Sequence, residues 1–112
     1  MSATFEHIEI KQLNEKSCPW KKHGENEIDV LSYEVYGFNP GQNLDIKTNL
    51  ALAIPDDKMC IIMPTKPLLL LHTPIFEGGK LTFRVHNSSV GKYGTHIVSP
   101  GETICRLRVV SK

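Results

Sequence analysis

The segment from Asn49 to Pro64 places the strongest constraint on the fold of this chain, because it holds two short apolar runs joined by a polar turn. In the first run Leu50, Leu52 and Ile54 alternate with small or polar residues. Successive side chains of a strand point to opposite faces, so this period of two predicts a strand with one buried face.

The second run, Met59 to Met63, is apolar throughout and predicts a strand that is buried on both faces. Pro55 has no N–H to donate to a β-ladder, and Asp56-Asp57-Lys58 is typical of a turn. The two runs are therefore predicted to form a β-hairpin at the centre of the core.

Short alternating or apolar runs separated by Pro, Gly and Asn continue along most of the chain. The predicted strands are the second run above and Phe5 to Ile10, Ile28 to Tyr36, Leu44 to Ile54, Leu68 to Leu71, Leu81 to His86, Tyr93 to Val98 and Thr103 to Val110. About eight short strands at spacings of roughly ten residues predict an all-β fold, either a sandwich or a β-barrel of the jelly-roll type.

Length, charge and cysteine usage limit the class of protein. A chain of 112 residues is predicted to form a single domain, 1–112. The formal net charge of +1 gives no electrostatic reason to expect nucleic acid as a partner. No apolar run is long enough for a membrane span, and no signal peptide is evident at the N-terminus. Three widely spaced cysteines fit reduced thiols, so we expect a cytoplasmic or nuclear protein that is not secreted.

Residue types that carry chemistry are scattered. The five histidines form no pair with metal-ligand spacing, so no metal site and no cofactor are predicted. Cys60 and Cys105 lie inside apolar strand patterns and are predicted to be core thiols rather than nucleophiles. No glycine-rich loop of the phosphate-cradling type is present. The residues alone therefore predict an all-β domain and leave its function open.

Four short signatures, taken in order, add a resemblance. They are Ile28-Asp29-Val30-Leu31-Ser32, Lys47 to Pro55, Gly79 to Asn87, and Pro100 to Leu107. In their order and spacing these segments resemble the trimeric deoxyuridine triphosphatase (dUTPase) family, with Asp29 at the position of the aspartate in the family's first motif. The resemblance covers nearly the whole chain and implies a dUTPase-like jelly-roll fold, hydrolysis of dUTP to dUMP and pyrophosphate, and a homo-oligomer.

The chain departs from the family's pattern at several catalytic motifs. Thr65-Lys66-Pro67 stands where the second motif has Arg-Ser-Gly, and Arg106 replaces the glutamine of the fourth motif. The third motif lacks its aspartate and tyrosine, and the glycine-rich fifth motif is missing. Losing the base, the substrate hairpin and the donors for developing charge costs orders of magnitude in rate. The departures therefore predict that the chain is not an enzyme.

The leading hypothesis is a catalytically inactive dUTPase-like protein reused as a protein-interaction or regulatory module, for example a viral accessory protein that acts on host proteins. Its candidate partner-binding residues are Trp20, Lys21 and Lys22, in the segment Ser17 to His23, and the apolar run Leu68, Leu69, Leu70 and Leu71. A large apolar side chain in a polar loop also suits anchoring of the loop, and the leucine run also suits a core strand.

Two alternatives come from other classes. The first is residual nucleotide binding or hydrolysis, in which Asp29, Lys66 and Arg106 lie near phosphate and Mg²⁺ is the cofactor. The second is a structural virion component, because jelly rolls also build capsids. Without a nucleotide, Asp29 is predicted to be a structural residue that accepts hydrogen bonds from the backbone of its own turn.

Overall fold

A computed structural model describes residues 2–5, 8–65, 69–71, 75–89 and 94–112. In these ranges the regular structure is entirely β-strand, which confirms the all-β prediction. The strands are β1 (Ser2–Phe5), β2 (Ile8–Gln12), β3 (Trp20–Lys22), β4 (Glu27–Leu31), β5 (Tyr36–Phe38), β6 (Asn43–Ala53), β7 (Lys58–Pro64), β8 (Leu69–Leu71), β9 (Ile75–Glu77), β10 (Lys80–Asn87), β11 (His96–Val98) and β12 (Thr103–Ser111). None of the described segments is a helix long and apolar enough to cross a membrane.

The described strands form three antiparallel sheets. One sheet has the order β1-β2-β6-β10-β8, and β9 also pairs with β10. A second sheet has the order β3-β4-β12-β7, and a third is the pair β11-β5. Strands that are far apart in sequence thus lie side by side, as in Greek-key and jelly-roll connections.

The core lies between the inward faces of the two larger sheets. On β10, Leu81, Phe83 and Val85 are buried while Arg84 is exposed. The apolar and polar residues that alternate in the sequence therefore alternate between the buried and the exposed face of the strand. The buried apolar residues are Ile8, Ile10, Cys18, Ile28, Val30, Phe38, Ile46, Leu50, Leu52, Leu81, Phe83, Val85, Val98, Ile104, Cys105, Leu107 and Val109.

The predicted central hairpin is wrong, although both of its strands exist. β6 belongs to the first sheet and pairs with β2 and β10, whereas β7 belongs to the second sheet and pairs with β12. The turn after Pro55 therefore crosses from one sheet to the other. Met59 and Ile61 are 44% and 42% exposed, so β7 is not buried on both faces; only Cys60 and Ile62 pack against the core.

The described part of the chain has more strands than the eight or so predicted. The predicted strand Ile28 to Tyr36 is two strands, because the backbone of Ser32 leaves the sheet. Its N–H donates to the Glu102 carbonyl at 2.7 Å, and its carbonyl accepts from the Gly101 N–H at 2.9 Å. The predicted strand from Phe5 to Ile10 likewise covers parts of β1 and β2, which pair with each other.

The turn between β11 and β12 has the geometry that its sequence predicts. Gly101 has a φ of 89°, a backbone angle that glycine adopts without strain. The Glu102 N–H donates to the Ser99 carbonyl at 3.1 Å, which closes the turn. The same turn holds Ser32, so it fixes the end of β4 beside the start of β12.

Candidate functional site

The candidate site is built on the outward face of the second sheet, around Asp29. In the register of β3, β4 and β12, Asp29 lies opposite Lys21 on one side and Arg106 on the other. Residues directly opposite one another in antiparallel strands share a face of the sheet. The sheet therefore brings together Asp29 and Arg106, which are 77 residues apart in sequence.

Both oxygens of the Asp29 carboxylate contact a basic side chain. The Arg106 Nε–H donates to Oδ1 at 2.8 Å, and Nδ1 of His23 lies 3.4 Å from Oδ2. The Asp29 residue is only 5% exposed, so these contacts offset the cost of burying a charge. The prediction that Asp29 bonds the backbone of its own turn is wrong, because its partners are side chains on β12 and after β3.

A second row of charges extends the site by two residues along the same strands. Glu27 lies opposite Arg108, with Nε of Arg108 3.4 Å from Oε1, and Nε2 of His23 lies 3.9 Å from Oε2 of Glu27. His23 thus stands between two carboxylates. The sequence placed His23 in a basic cluster but gave no sign of these partners, which only the strand register reveals.

Arg106 is the best-placed anion-binding group of the site. Its side chain is 30% exposed, and of its five N–H donors only Nε–H has a partner among the residues that the structure describes. A guanidinium carries its donors in a fork geometry that suits phosphate oxygens. Asp29 and Arg106 therefore place a carboxylate beside a partly exposed guanidinium.

The other predicted site residues have different outcomes. Lys66 and Leu68 lie outside the described residues, and the side chains of Leu69, Leu70 and Leu71 are not described, although these three form β8. Their predicted roles stay predictions.

Trp20 is partly buried and packs against the core. Lys21 and Lys22 follow it on β3 and are exposed. The packing of the indole explains how the segment is attached, and binding of a partner by these three residues stays a prediction.

The three cysteines are free thiols, and their burial determines how readily they ionise and react. Cys18 and Cys105 are buried, as predicted for Cys105, and Cys60 is half-buried against the core. Burial raises the pKa of Cys60 to about 11 and that of Cys105 further still. A protonated thiol is a poor nucleophile, so these cysteines are core residues rather than reactive ones.

Mg²⁺ is the cofactor in the nucleotide-binding alternative, so the residues of the site can be compared with the ligands that Mg²⁺ prefers. Among the described residues no three His, Cys, Asp or Glu side chains gather as a metal cluster. Mg²⁺ is commonly held by one or two carboxylates together with substrate phosphates, and Asp29 supplies one such carboxylate. The site therefore fits Mg²⁺ only as an ion that arrives with a phosphate ligand.

No protein-family model and no curated protein sequence matches the chain. Solved structures do match. A mutant dUTPase of Staphylococcus phage 80alpha aligns with a TM-score of 0.79 and 17% identity, over 97% of this chain and 86% of that chain. The dUTPase of S. aureus phage phi11, as a mutant studied for its structural Mg(II) ion, aligns with a TM-score of 0.77 and 17% identity, over 94% and 90%.

A third match is the phage 80alpha dUTPase in complex with dUpNHpp, with a TM-score of 0.78 and 18% identity, over 94% of this chain and 82% of that chain. The work on these phage proteins concerns both their enzymatic activity and their control of the transfer of virulence genes. The prediction that this chain is not an enzyme is contradicted by these matches, because the structures it resembles over nearly its whole length are those of enzymes. The departures change particular residues, whereas the fold that carries the activity in those proteins is kept. The chain has the fold of the dUTPases.

Proposed function

We propose that this chain binds a deoxyuridine nucleotide on the face formed by Asp29 and Arg106 and hydrolyses its phosphate chain. The observation that carries the proposal is the buried Asp29 carboxylate, 2.8 Å from the partly exposed guanidinium of Arg106. The likeness to phage dUTPases, one of them with dUpNHpp bound, supports a deoxyuridine nucleotide as the ligand.

In this proposal the motif departures change which residues act. Arg106 binds phosphate oxygens in place of the arginine and serine of the family's second motif. Asp29 holds Arg106 in position and would be the carboxylate that holds an Mg²⁺ ion brought by the nucleotide. Lys66 follows β7 in sequence and adds positive charge for the phosphate chain.

The test pairs Asp29→Asn with Asp45→Asn, a matched control. Asp45 also forms an ion pair with an arginine, Arg84, but lies exposed on the other large sheet. Pyrophosphate release from dUTP, dCTP and dATP with Mg²⁺ is measured. We expect release from dUTP, a loss of about a hundredfold or more in Asp29→Asn, and a rate within about twofold of the parent in Asp45→Asn.

A binding measurement completes this test. A ligand that binds only the folded state raises the melting temperature, so dUpNHpp with Mg²⁺ is expected to stabilise the parent and not Arg106→Gln. Absence of both pyrophosphate release and stabilisation by dUpNHpp would refute the proposal. So would full activity of Asp29→Asn.

A second candidate function is regulation through contact with a host or viral protein. Met59 and Ile61 point outward from β7, the strand that ends the second sheet among the described residues, and both are more than two-fifths exposed. Apolar side chains on an outward sheet face are typical of an interface, either with another protein or between copies of this chain. The reported control of virulence-gene transfer by the phage dUTPases supports a regulatory role.

Replacement of both Met59 and Ile61 by lysine tests this second candidate. We expect the variant to lose a partner captured by the parent, or to shift from oligomer to monomer in sedimentation velocity. Val35→Lys is the control, because Val35 is 63% exposed and directly precedes β5, which is not in the sheet that holds β7. Equal capture and equal sedimentation of parent and double variant would contradict an interface on β7.

A further inference from the structure

The first large sheet contains an irregularity that the Asp29 face does not use. In the pairing of β10 with β6, Lys80 lies opposite Ala51 but Thr82 lies opposite Lys47, so three residues of β6 face one of β10. Asn49, within this bulge, has a φ of 55°, the left-handed conformation that asparagine tolerates better than most residues. Bulges of this kind are common beside binding sites, because they redirect side chains.

The loop that follows β2 is fastened over this bulge by several hydrogen bonds. The buried Ser17 hydroxyl donates to the Asn49 carbonyl at 2.9 Å, and the Asn49 side-chain Nδ2 donates to the Lys16 carbonyl at 3.0 Å. The Cys18 N–H donates to the Thr48 carbonyl at 2.8 Å. The backbone of Lys16 is therefore held against β6, which is the strand that carries Lys47.

Two adjacent cavities open at this place and share Lys47 and Asn49 in their walls. Their volumes are about 280 Å³ and 250 Å³. Lys16 lines the first and Lys80 the second, so the joint groove brings three lysines to one place. A wall of the first cavity is formed by Tyr33 and Tyr36, which adds aromatic surface to the cationic side.

The charges of the groove do not cancel. No ion pair of Lys16, Lys47 or Lys80 occurs within the described part of the chain, and all three are exposed. Asp45 also lines the groove, but Arg84 holds its carboxylate with contacts of 2.8 Å and 3.4 Å and lowers its pKa. Glu34 is the remaining acid in the lining, so the groove has an excess of positive charge.

The second tyrosine, Tyr36, is fixed in the groove wall by its neighbours. Burial raises the pKa of Tyr36 to about 12, and the charge of Glu34 and a hydrogen bond with its carboxylate act in the same direction. Because its hydroxyl is engaged by Glu34, Tyr36 contributes ring surface to the groove rather than a donor for an anion. Its ring is fixed by stacking on Phe38, with the ring centroids 6.3 Å apart.

We propose that this groove binds a small phosphate monoester, with the phosphate held by Lys16, Lys47 and Lys80 and an aromatic or sugar group lying against Tyr33. Lysines bind phosphate as point charges without a required fork geometry, and Lys47, which lines both cavities, lies between the cavity of Lys16 and that of Lys80. The site is separate from the Asp29 face, because none of the residues that line it lies on β4 or β12.

Isothermal titration with phenyl phosphate, and with inorganic phosphate as a second probe, tests the proposal. We expect saturable binding of phenyl phosphate that is tighter than that of inorganic phosphate and weakens as salt is added. The double variant Lys16→Gln/Lys47→Gln is expected to lose affinity by about tenfold or more, or about 1.4 kcal/mol. Lys80→Gln is expected to weaken binding by a smaller factor.

The control, Lys58→Gln/Lys112→Gln, removes the same charge from residues that do not line the groove, and Lys58 bonds Ser111 on the other large sheet. It is expected to bind phenyl phosphate within about twofold of the parent. Arg106→Gln separates this site from the proposed nucleotide face and is expected to keep phenyl phosphate binding. No binding of phenyl phosphate, equal loss in the two double variants, or loss in Arg106→Gln would each overturn the proposal.

Discussion

Replacing Asn87 by alanine is expected to destabilise the fold by about 4 kcal/mol, among the largest effects of any single polar substitution in this chain. The side chain is fully buried at the end of β10. Its Nδ2 donates to the Phe38 carbonyl at 2.8 Å and to the Gly94 carbonyl at 2.7 Å, and its Oδ1 accepts from the N–H of Ser89 at 3.0 Å and from its hydroxyl. Truncation removes these four hydrogen bonds and adds a cavity.

The loss is expected to exceed that of one hydrogen bond because Asn87 joins separate elements. It connects the first sheet, through β10, with β5 of the two-stranded sheet. Urea unfolding measures the change in free energy. Asn43→Ala is the matched control, because Asn43 is exposed on the neighbouring strand and contacts His86; we expect a change within about 0.5 kcal/mol. Similar losses in the two variants would contradict the proposed role of Asn87.

The residues that face the core could be predicted from the sequence because burial imposes a period of two. The predicted strands Leu44 to Ile54, Leu81 to His86 and Thr103 to Val110 agree with β6, β10 and β12 to within a residue or two at each end. In each of these strands burial repeats every second residue over several positions, so the pattern is long enough to be unambiguous. The type of regular structure and the identity of the core followed from this pattern.

The partners of the strands could not be predicted in the same way. Alternation states which side chains point inward and says nothing of the strand that lies alongside. Adjacency in sequence suggested that β6 pairs with β7, whereas the turn after Pro55 leads into the other sheet. The exposure of Met59 and Ile61 was not predicted either, because a wholly apolar run does not show that one face of its strand lacks a covering layer.

For the candidate site, too, the sequence indicated individual residues but not the strand pairing that brings them together. The resemblance to dUTPases singled out Asp29, and Arg106 stood out as a departure from it. Their contact depends on a pairing across 77 residues that no local pattern encodes. The contacts of His23 with Glu27 and Asp29 were missed because the sequence shows only its basic neighbours, Lys21 and Lys22. Asn49 had a weak signal, since asparagine favours left-handed backbone and stands inside an otherwise regular strand.

Raising the pH above about 9 is expected to destabilise the folded chain steeply, and Cys105 is expected to be a main cause. Burial raises the pKa of this fully buried thiol well above its ordinary value of 9.0, so the folded state keeps the proton after the unfolded state has released it. The stabilisation is fully present below that ordinary value and is lost as the pH rises toward the folded pKa. Each pH unit in this window costs about 1.4 kcal/mol per thiol.

Urea unfolding of the parent and of Cys105→Ala between about pH 8 and pH 11 tests this linkage. At the lower pH the variant is expected to be less stable by about 1 to 2 kcal/mol, because truncation leaves a cavity beside Val30. Above pH 9 its stability is expected to fall less steeply, so that relative to the parent it gains about 2 kcal/mol or more by pH 11 and becomes at least as stable as the parent. Cys60 has a folded pKa of about 11, so its own contribution to the slope ends there while that of Cys105 continues. Parallel curves for parent and variant would mean that Cys105 ionises equally in both states, which a thiol without solvent access in the folded chain should not do.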